Sequence, residues 1–109
     1  MLEKGARFSE REFARTRWAL AEDAARVYAE CADADAILWP AAPTTAPLGL
    51  GSTGDPRFIG PWTALGGPVV TAPCGFGVNG LPIGVLLIGQ PGLDLAFASV
   101  ASILGAVLA

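Results

Sequence analysis

Charge nearly stops at residue 35. From Met1 to Asp35 the chain carries six Lys/Arg and eight Asp/Glu, whereas the 74 residues that follow hold only Asp55, Arg57 and Asp94. A chain of 109 residues leaves a large share of itself in contact with water, because short chains bury proportionally less. That surface must be polar to stay soluble and unassociated. Residues 36–109 cannot supply it, and they read as the interior of something larger. A Gly/Pro-rich small domain that tolerates low charge is the plainer alternative. The expectation is a single partial domain over 1–109 that meets a partner, a second copy or a missing portion of its own fold.

Other features remove whole classes of chemistry. Histidine is absent, which excludes His-based triads and His metal sites. Cys31 and Cys74 stand too far apart for a CxxC redox pair or a zinc spacing. The net charge of -3 argues against a phosphate-backbone partner, which selects basic patches. The first residues are charged, unlike a signal peptide. The uncharged run Leu95–Ala109 has 15 residues, short of the roughly 20 that span a bilayer. The expectation is a cytoplasmic protein with reduced thiols, bound neither to nucleic acid nor to a membrane, with no metal and no cofactor.

Residues 9–32 have the pattern of an amphipathic helix. Ser9 and Glu12 form a capping box, and Phe8 and Phe13 occupy the positions of a hydrophobic staple. One apolar stripe runs through Phe13, Leu20, Ala24, Val27 and Cys31. A second runs through Ala14, Trp18, Ala21, Ala25, Tyr28 and Ala32. The charges form a solvated face, with Glu22 and Arg26 in the favourable i,i+4 order. Short apolar runs predict strands near 36–39, 69–72 and 83–88. Neither of the last two alternates apolar with polar, so both of their faces should be covered. Asn79-Gly80 between them is a hairpin signal. Residues 40–61 are a long Pro/Gly loop, and Pro61–Gly66 suits one helical turn with proline first. Asp94 suits the N-cap of a last helix over 95–108, which shows no charged side and should touch protein on both faces.

Candidate chemistry is sparse. Cys74 has no histidine or nearby cation to lower its thiol pKa, so it reads as a buried structural cysteine. The run Gly49-Leu50-Gly51-Ser52-Thr53-Gly54 lacks the Gly-Lys-Ser/Thr ending of a phosphate loop. Lys4 is the only lysine, and nothing in the pattern holds it beside a nucleophile. Paired carboxylates would have to be Asp33 with Asp35, which end a helix, or Asp55 with Asp94. No self-contained active site emerges, and no catalytic residue is assigned.

Three ordered segments nevertheless form a pattern: Asp35-Ala36-Ile37-Leu38-Trp39-Pro40, then Gly66-Gly67-Pro68-Val69-Val70-Thr71-Ala72-Pro73-Cys74-Gly75, then Gly80-Leu81-Pro82-Ile83-Gly84. In that order they resemble the C-terminal portion of the amidase signature family. The likeness covers nearly the whole chain from about residue 10. The chain departs from the family at Leu86, often glutamine, near Thr63, often asparagine, and at Leu95, often glutamate.

The resemblance implies an α/β fold with a mixed central sheet covered by helices, incomplete in this chain. It also implies hydrolysis of a small carboxamide by a serine nucleophile with a second serine and a lysine, or transfer of its ammonia in a tRNA-dependent amidotransferase. Backbone N–H groups would stabilise the oxyanion. Those catalytic residues belong to a Gly/Ser-rich signature that this chain lacks, so the chain alone should be inactive. What carries over is scaffold. The loop 40–62 would border the substrate pocket, with Trp39 and Trp62 as wall candidates beside the simpler reading that both are core. The rival function is a non-catalytic interaction module, or a truncated remnant, that binds a protein partner. An uncharged last helix also raises a membrane-surface role, against which its lack of Lys and Arg counts.

Overall fold

A computed structural model describes residues 5–108; Lys4 lies outside the described residues. Helix α1 runs Glu10–Glu30, strand β1 Ile37–Pro40, the short helix α2 Gly60–Leu65, β2 Val69–Phe76, β3 Pro82–Ile88, and helix α3 Asp94–Leu108. The elements are those of an α/β chain. The three strands form one sheet in the order β1-β3-β2, and both pairings are antiparallel. The family resemblance implied a mixed sheet; the described residues supply no parallel pair.

Strand β3 is the centre of the molecule. Leu86, Leu87 and Ile88 are fully buried, each contributing about 1.5–3 kcal/mol by leaving water. Side chains alternate across a strand, so these three serve two cores. Leu86 and Ile88 meet Tyr28 of α1 and Trp62 of α2 on one face. Leu87 and Ala72 meet Phe97 and Ala101 of α3 on the other. A strand covered on both faces cannot alternate polar with apolar, which is why β3 is apolar throughout.

Helix α1 starts as its sequence dictates. The Ser9 side chain accepts from the Glu12 N–H, and the Glu12 carboxylate accepts from the Ser9 backbone at 2.8 Å. The Ser9 hydroxyl also donates to the Glu12 carboxylate at 2.7 Å, and this bond, with the one from the Ser9 backbone N–H, holds the Glu12 carboxyl below its usual range. Burial along the helix is confined to its end. Ala24 and Val27 are half-buried and Tyr28 is buried, while everything from Glu10 to Asp23 is exposed. Phe8 and Phe13, expected to staple the helix start, both remain exposed. Arg26 pairs with Asp23 at 2.7 Å and not with Glu22. A carboxylate one turn away was available at i−3, and the i,i+3 geometry took it.

The hairpin turns as Asn79-Gly80 suggests, with a different geometry. Gly80 N–H donates to the Gly77 carbonyl at 2.9 Å, and Gly77 N–H donates to the Leu81 carbonyl at 2.8 Å. Only Gly80 takes a positive φ, of 73°. This is a three-residue loop with glycine in the left-handed position, not the two-residue turn in which Asn79 would share that conformation. Strand β2 also runs further than 69–72, because the register shifts between Pro73 and Gly75 and leaves Cys74 as an extra residue. Such a bulge lets pairing resume beyond an interruption.

Two further expectations are corrected. Asp94 is the first residue of α3 and not its cap; the Leu93 carbonyl accepts the first helical bond, from Phe97 N–H at 2.9 Å. Helix α3 was expected to touch protein on both faces, yet Leu95, Ile103 and Val107 are exposed. Only the face bearing Phe97 and Ala101 has a neighbour among the described residues. No described helix is long and apolar enough to cross a membrane.

Candidate functional site

The two tryptophans singled out in the sequence are brought together. Trp39 sits on β1, opposite Leu86. Trp62 sits in α2, whose proline near the N-terminus and left-handed Gly66 at its C-cap set its single turn. The rings meet edge to face with centroids 5.7 Å apart. Phe58, at the end of the long loop, adds a third ring 6.4 Å from Trp39. Such edge contacts are favourable because the positive ring edge meets the negative face.

The two rings have different surroundings. Trp62 is 8% exposed and belongs to the core with Tyr28, Leu86 and Ile88. Trp39 is 41% exposed. It lines a shallow pocket of about 260 Å³ with Leu38, Pro40, Cys74, Ile83 and Val85. Cys74 is therefore not the buried cysteine that its apolar neighbours suggested. The bulge turns it outward, and its thiol donates weakly to the Ile83 carbonyl at 3.5 Å.

The long loop encloses a second pocket of about 290 Å³, lined by Thr44, Thr45, Thr53, Asp55 and Ile59 among others. The Asn79 amide donates to Thr45 Oγ1 at 2.8 Å and ties this loop to the hairpin. Asp55 accepts from Arg57 Nε at 2.7 Å, and the guanidinium holds its carboxyl below the usual range. A carboxylate so paired is a poor proton acceptor near neutral pH. Asp94 does not line this pocket. Asp35 lines a separate cleft beside Gln90 and Phe97, and Asp33 does not. Ser52 bonds only the Gly54 N–H of its own loop, at 3.1 Å. Among the described residues no three His, Cys, Asp or Glu side chains converge to hold a metal.

Sequence reading missed Phe58, the outward turn of Cys74, and Gln90. The Gln90 amide donates to the Tyr28 carbonyl at 3.1 Å and to the Cys31 carbonyl at 3.3 Å, closing the end of α1 from across the fold. No local pattern marks a glutamine for partners that lie 62 and 59 positions away.

Comparison with known proteins finds relatives of one kind. The chain is 46% identical over 63 residues to the glutamyl-tRNA(Gln) amidotransferase A subunit of Agathobacter rectalis, covering 51% of this chain and 12% of that protein. It is 38% identical over 83 residues to the same subunit of Thermosynechococcus vestitus, covering 70% of this chain and 17% of that protein. The corresponding protein of Neisseria meningitidis is 39% identical over 77 residues, covering 65% of this chain and 15% of its relative. The chain is related to the amidase signature family. No family model and no solved structure matches it. It spans less than a fifth of the length of these curated relatives.

The three amidase-signature segments acquire a physical meaning in the structure. The first contains β1, the second most of β2, and the third the start of β3. Segments separated by a long loop in sequence are thus hydrogen-bonded neighbours in one sheet. Their glycines and prolines mark close approaches and strand ends. At Gly67 a Cβ would fall 2.6 Å from the Gly89 carbonyl and against the Tyr28 hydroxyl.

Proposed function

We propose that this chain is the C-terminal part of an amidase-signature hydrolase. Its role is to supply three strands of the sheet and part of the wall of a pocket for a small carboxamide. The serine, second serine and lysine that carry the chemistry come from sequence this chain does not contain, so the chain alone is inactive. Trp39 is the wall residue in this reading, with Trp62 holding it from beneath. The observation that supports the reading most is the assembly of all three family segments into one sheet, in a chain 37–46% identical to the A subunits of glutamyl-tRNA(Gln) amidotransferases. The protein works in the cytoplasm, a reading with which the free thiols of Cys31 and Cys74 agree.

The test has two arms. The purified chain is incubated with a panel of small carboxamides, and ammonia release is expected to stay at the buffer level. The chain is then co-expressed with the T. vestitus relative from which the matched stretch has been deleted. Co-purification and restored ammonia release are expected, with Trp39→Ala reducing the restored rate. Turnover by the chain alone, or failure of the two pieces to associate, overturns the reading. Failure to associate, together with capture of an unrelated protein through α3, would favour the interaction module, which the exposed Leu95, Ile103 and Val107 support.

A further inference from the structure

We propose that residues 42–47 form a strap that opens and closes the pocket of the long loop, and that Thr45 is the latch fastening it to the β2–β3 hairpin. The proposal rests on the loop and the hairpin and does not need the amidase reading.

The pocket, of about 290 Å³, lies between two legs of one loop. Pro43, Thr44 and Pro47 line it from the first leg, and Thr53, Asp55 and Ile59 from the second. The legs meet at the far end, where a Cβ on Gly54 would lie 3.8 Å from the Pro47 ring. The second leg is held at its base: the Pro56 carbonyl accepts from the Gly60 N–H at 2.7 Å, and the Phe58 ring reaches Trp39. The first leg leaves the sheet at Ala41, whose N–H donates to the Gly84 carbonyl at 3.1 Å.

Beyond Ala41 the first leg depends on Thr45. Every residue from 42 to 57 is exposed except Thr45, which is half-buried. Its Oγ1 accepts from Asn79 Nδ2 at 2.8 Å. Among the described residues this is the only hydrogen bond that joins residues 42–55 to another part of the fold. The Thr45 methyl is seated too. A Cβ on Gly77 would fall 2.6 Å from Thr45 Cγ2, so a side chain at 77 and a docked Thr45 exclude each other. Gly77 has no positive φ, so contact and not backbone conformation keeps that position bare.

The hairpin is built to offer the bond. Its turn closes on backbone groups alone, Gly77 with Leu81 and Gly80 with Gly77. The Asn79 amide is thus free for Thr45, and its Oδ1, accepting from the Leu81 N–H at 3.3 Å, orients Nδ2 toward it. Segments with little buried surface open at the lowest free energy in a fold. One neutral hydrogen bond shifts an equilibrium about two- to tenfold. A strap held by one such bond stands close to the balance between closed and open, and the pocket opens when Thr45 leaves its seat.

NMR of the full 11.1 kDa chain tests the proposal. Two contacts are read as Overhauser effects: the residue 45 methyl to the Gly77 α protons for the latch, and the Pro47 δ protons to the Gly54 α protons for the mouth of the pocket. Thr45→Val keeps a methyl and removes the acceptor oxygen. Both effects are expected to weaken by about twofold or more, and the backbone amides of Thr44–Ala46 to become as mobile as those of Leu48–Gly51. Gly77→Ala is expected to weaken the Pro47–Gly54 contact equally, by filling the seat. Thr44→Val, which removes only a bond to the neighbouring Thr45 carbonyl, is expected to match the parent. Unchanged shifts at Val69–Ala72 and Val85–Ile88 show that the sheet is retained. A latch contact that survives Thr45→Val, a Pro47–Gly54 contact that persists when the latch is lost, or an equal loss in Thr44→Val overturns the proposal.

Discussion

Two polar atoms inside the first core have no hydrogen-bond partner, the Tyr28 hydroxyl and the Trp62 indole nitrogen. Leaving a buried donor unmade is what costs; removing the group altogether is close to neutral. Tyr28→Phe is therefore expected to leave the chain as stable as the parent or up to about 1 kcal/mol more stable, read from the urea midpoint. The same residue sets an alkaline response. Burial raises the Tyr28 phenol pKa above 10.0, with the nearby Gly67 backbone opposing it. A pKa raised on folding contributes stability below the unfolded value and loses it as pH rises through the folded one. Parent stability should fall above pH 10, and Tyr28→Phe should flatten that fall. Because Tyr28 is the only tyrosine, absorbance titration reports it alone. Its burial was foreshadowed by its place on the apolar stripe, but the orphaned hydroxyl depends on Gly67, whose closeness no local pattern shows.

Elements differ in how openly they are written. The start of α1 follows from Ser9 and Glu12, since a capping box is complete within four residues. Carbonyls at a helix end lack helical partners. Here the Tyr28 and Cys31 carbonyls accept from the N–H groups of Cys31 and Ala34 in tight turns, and Gln90 adds a second bond to each. Gln90→Ala is expected to cost about 1 kcal/mol. The check is hydrogen exchange, where the last turn of α1 should lose protection while the hairpin keeps its own. Strand β2 shows the opposite case. Its apolar run is visible in sequence, but its extension to Phe76 and the turning-out of Cys74 depend on the register against β3.

At the scale of the whole chain, the low charge of residues 36–109 has a visible counterpart. The molecule is flat, 47 × 40 × 20 Å, with a radius of gyration of 16.6 Å, where about 13 Å is usual for this length. Protection from exchange should therefore be graded. Leu86–Ile88, buried on both faces, should exchange slowest, and the amides from Glu10 to Asp23 fastest among the helical ones. Uniform protection along α1 would show that the helix finds its cover within the chain.

Local order, composition and motif order are properties of the amino-acid string. They suffice for where α1 begins, for the apolar character of β3, for the shortage of polar surface, and for the amidase-signature likeness. Each is carried by neighbours in sequence or by a count. The tertiary structure alone decided that β1 pairs antiparallel with β3, that Trp39 and Trp62 meet while only Trp62 is buried, that Cys74 faces outward, and that α1 is covered over its last turns only. Those outcomes depend on groups tens of residues apart competing for the same space, and no single stretch of chain holds the terms of that competition.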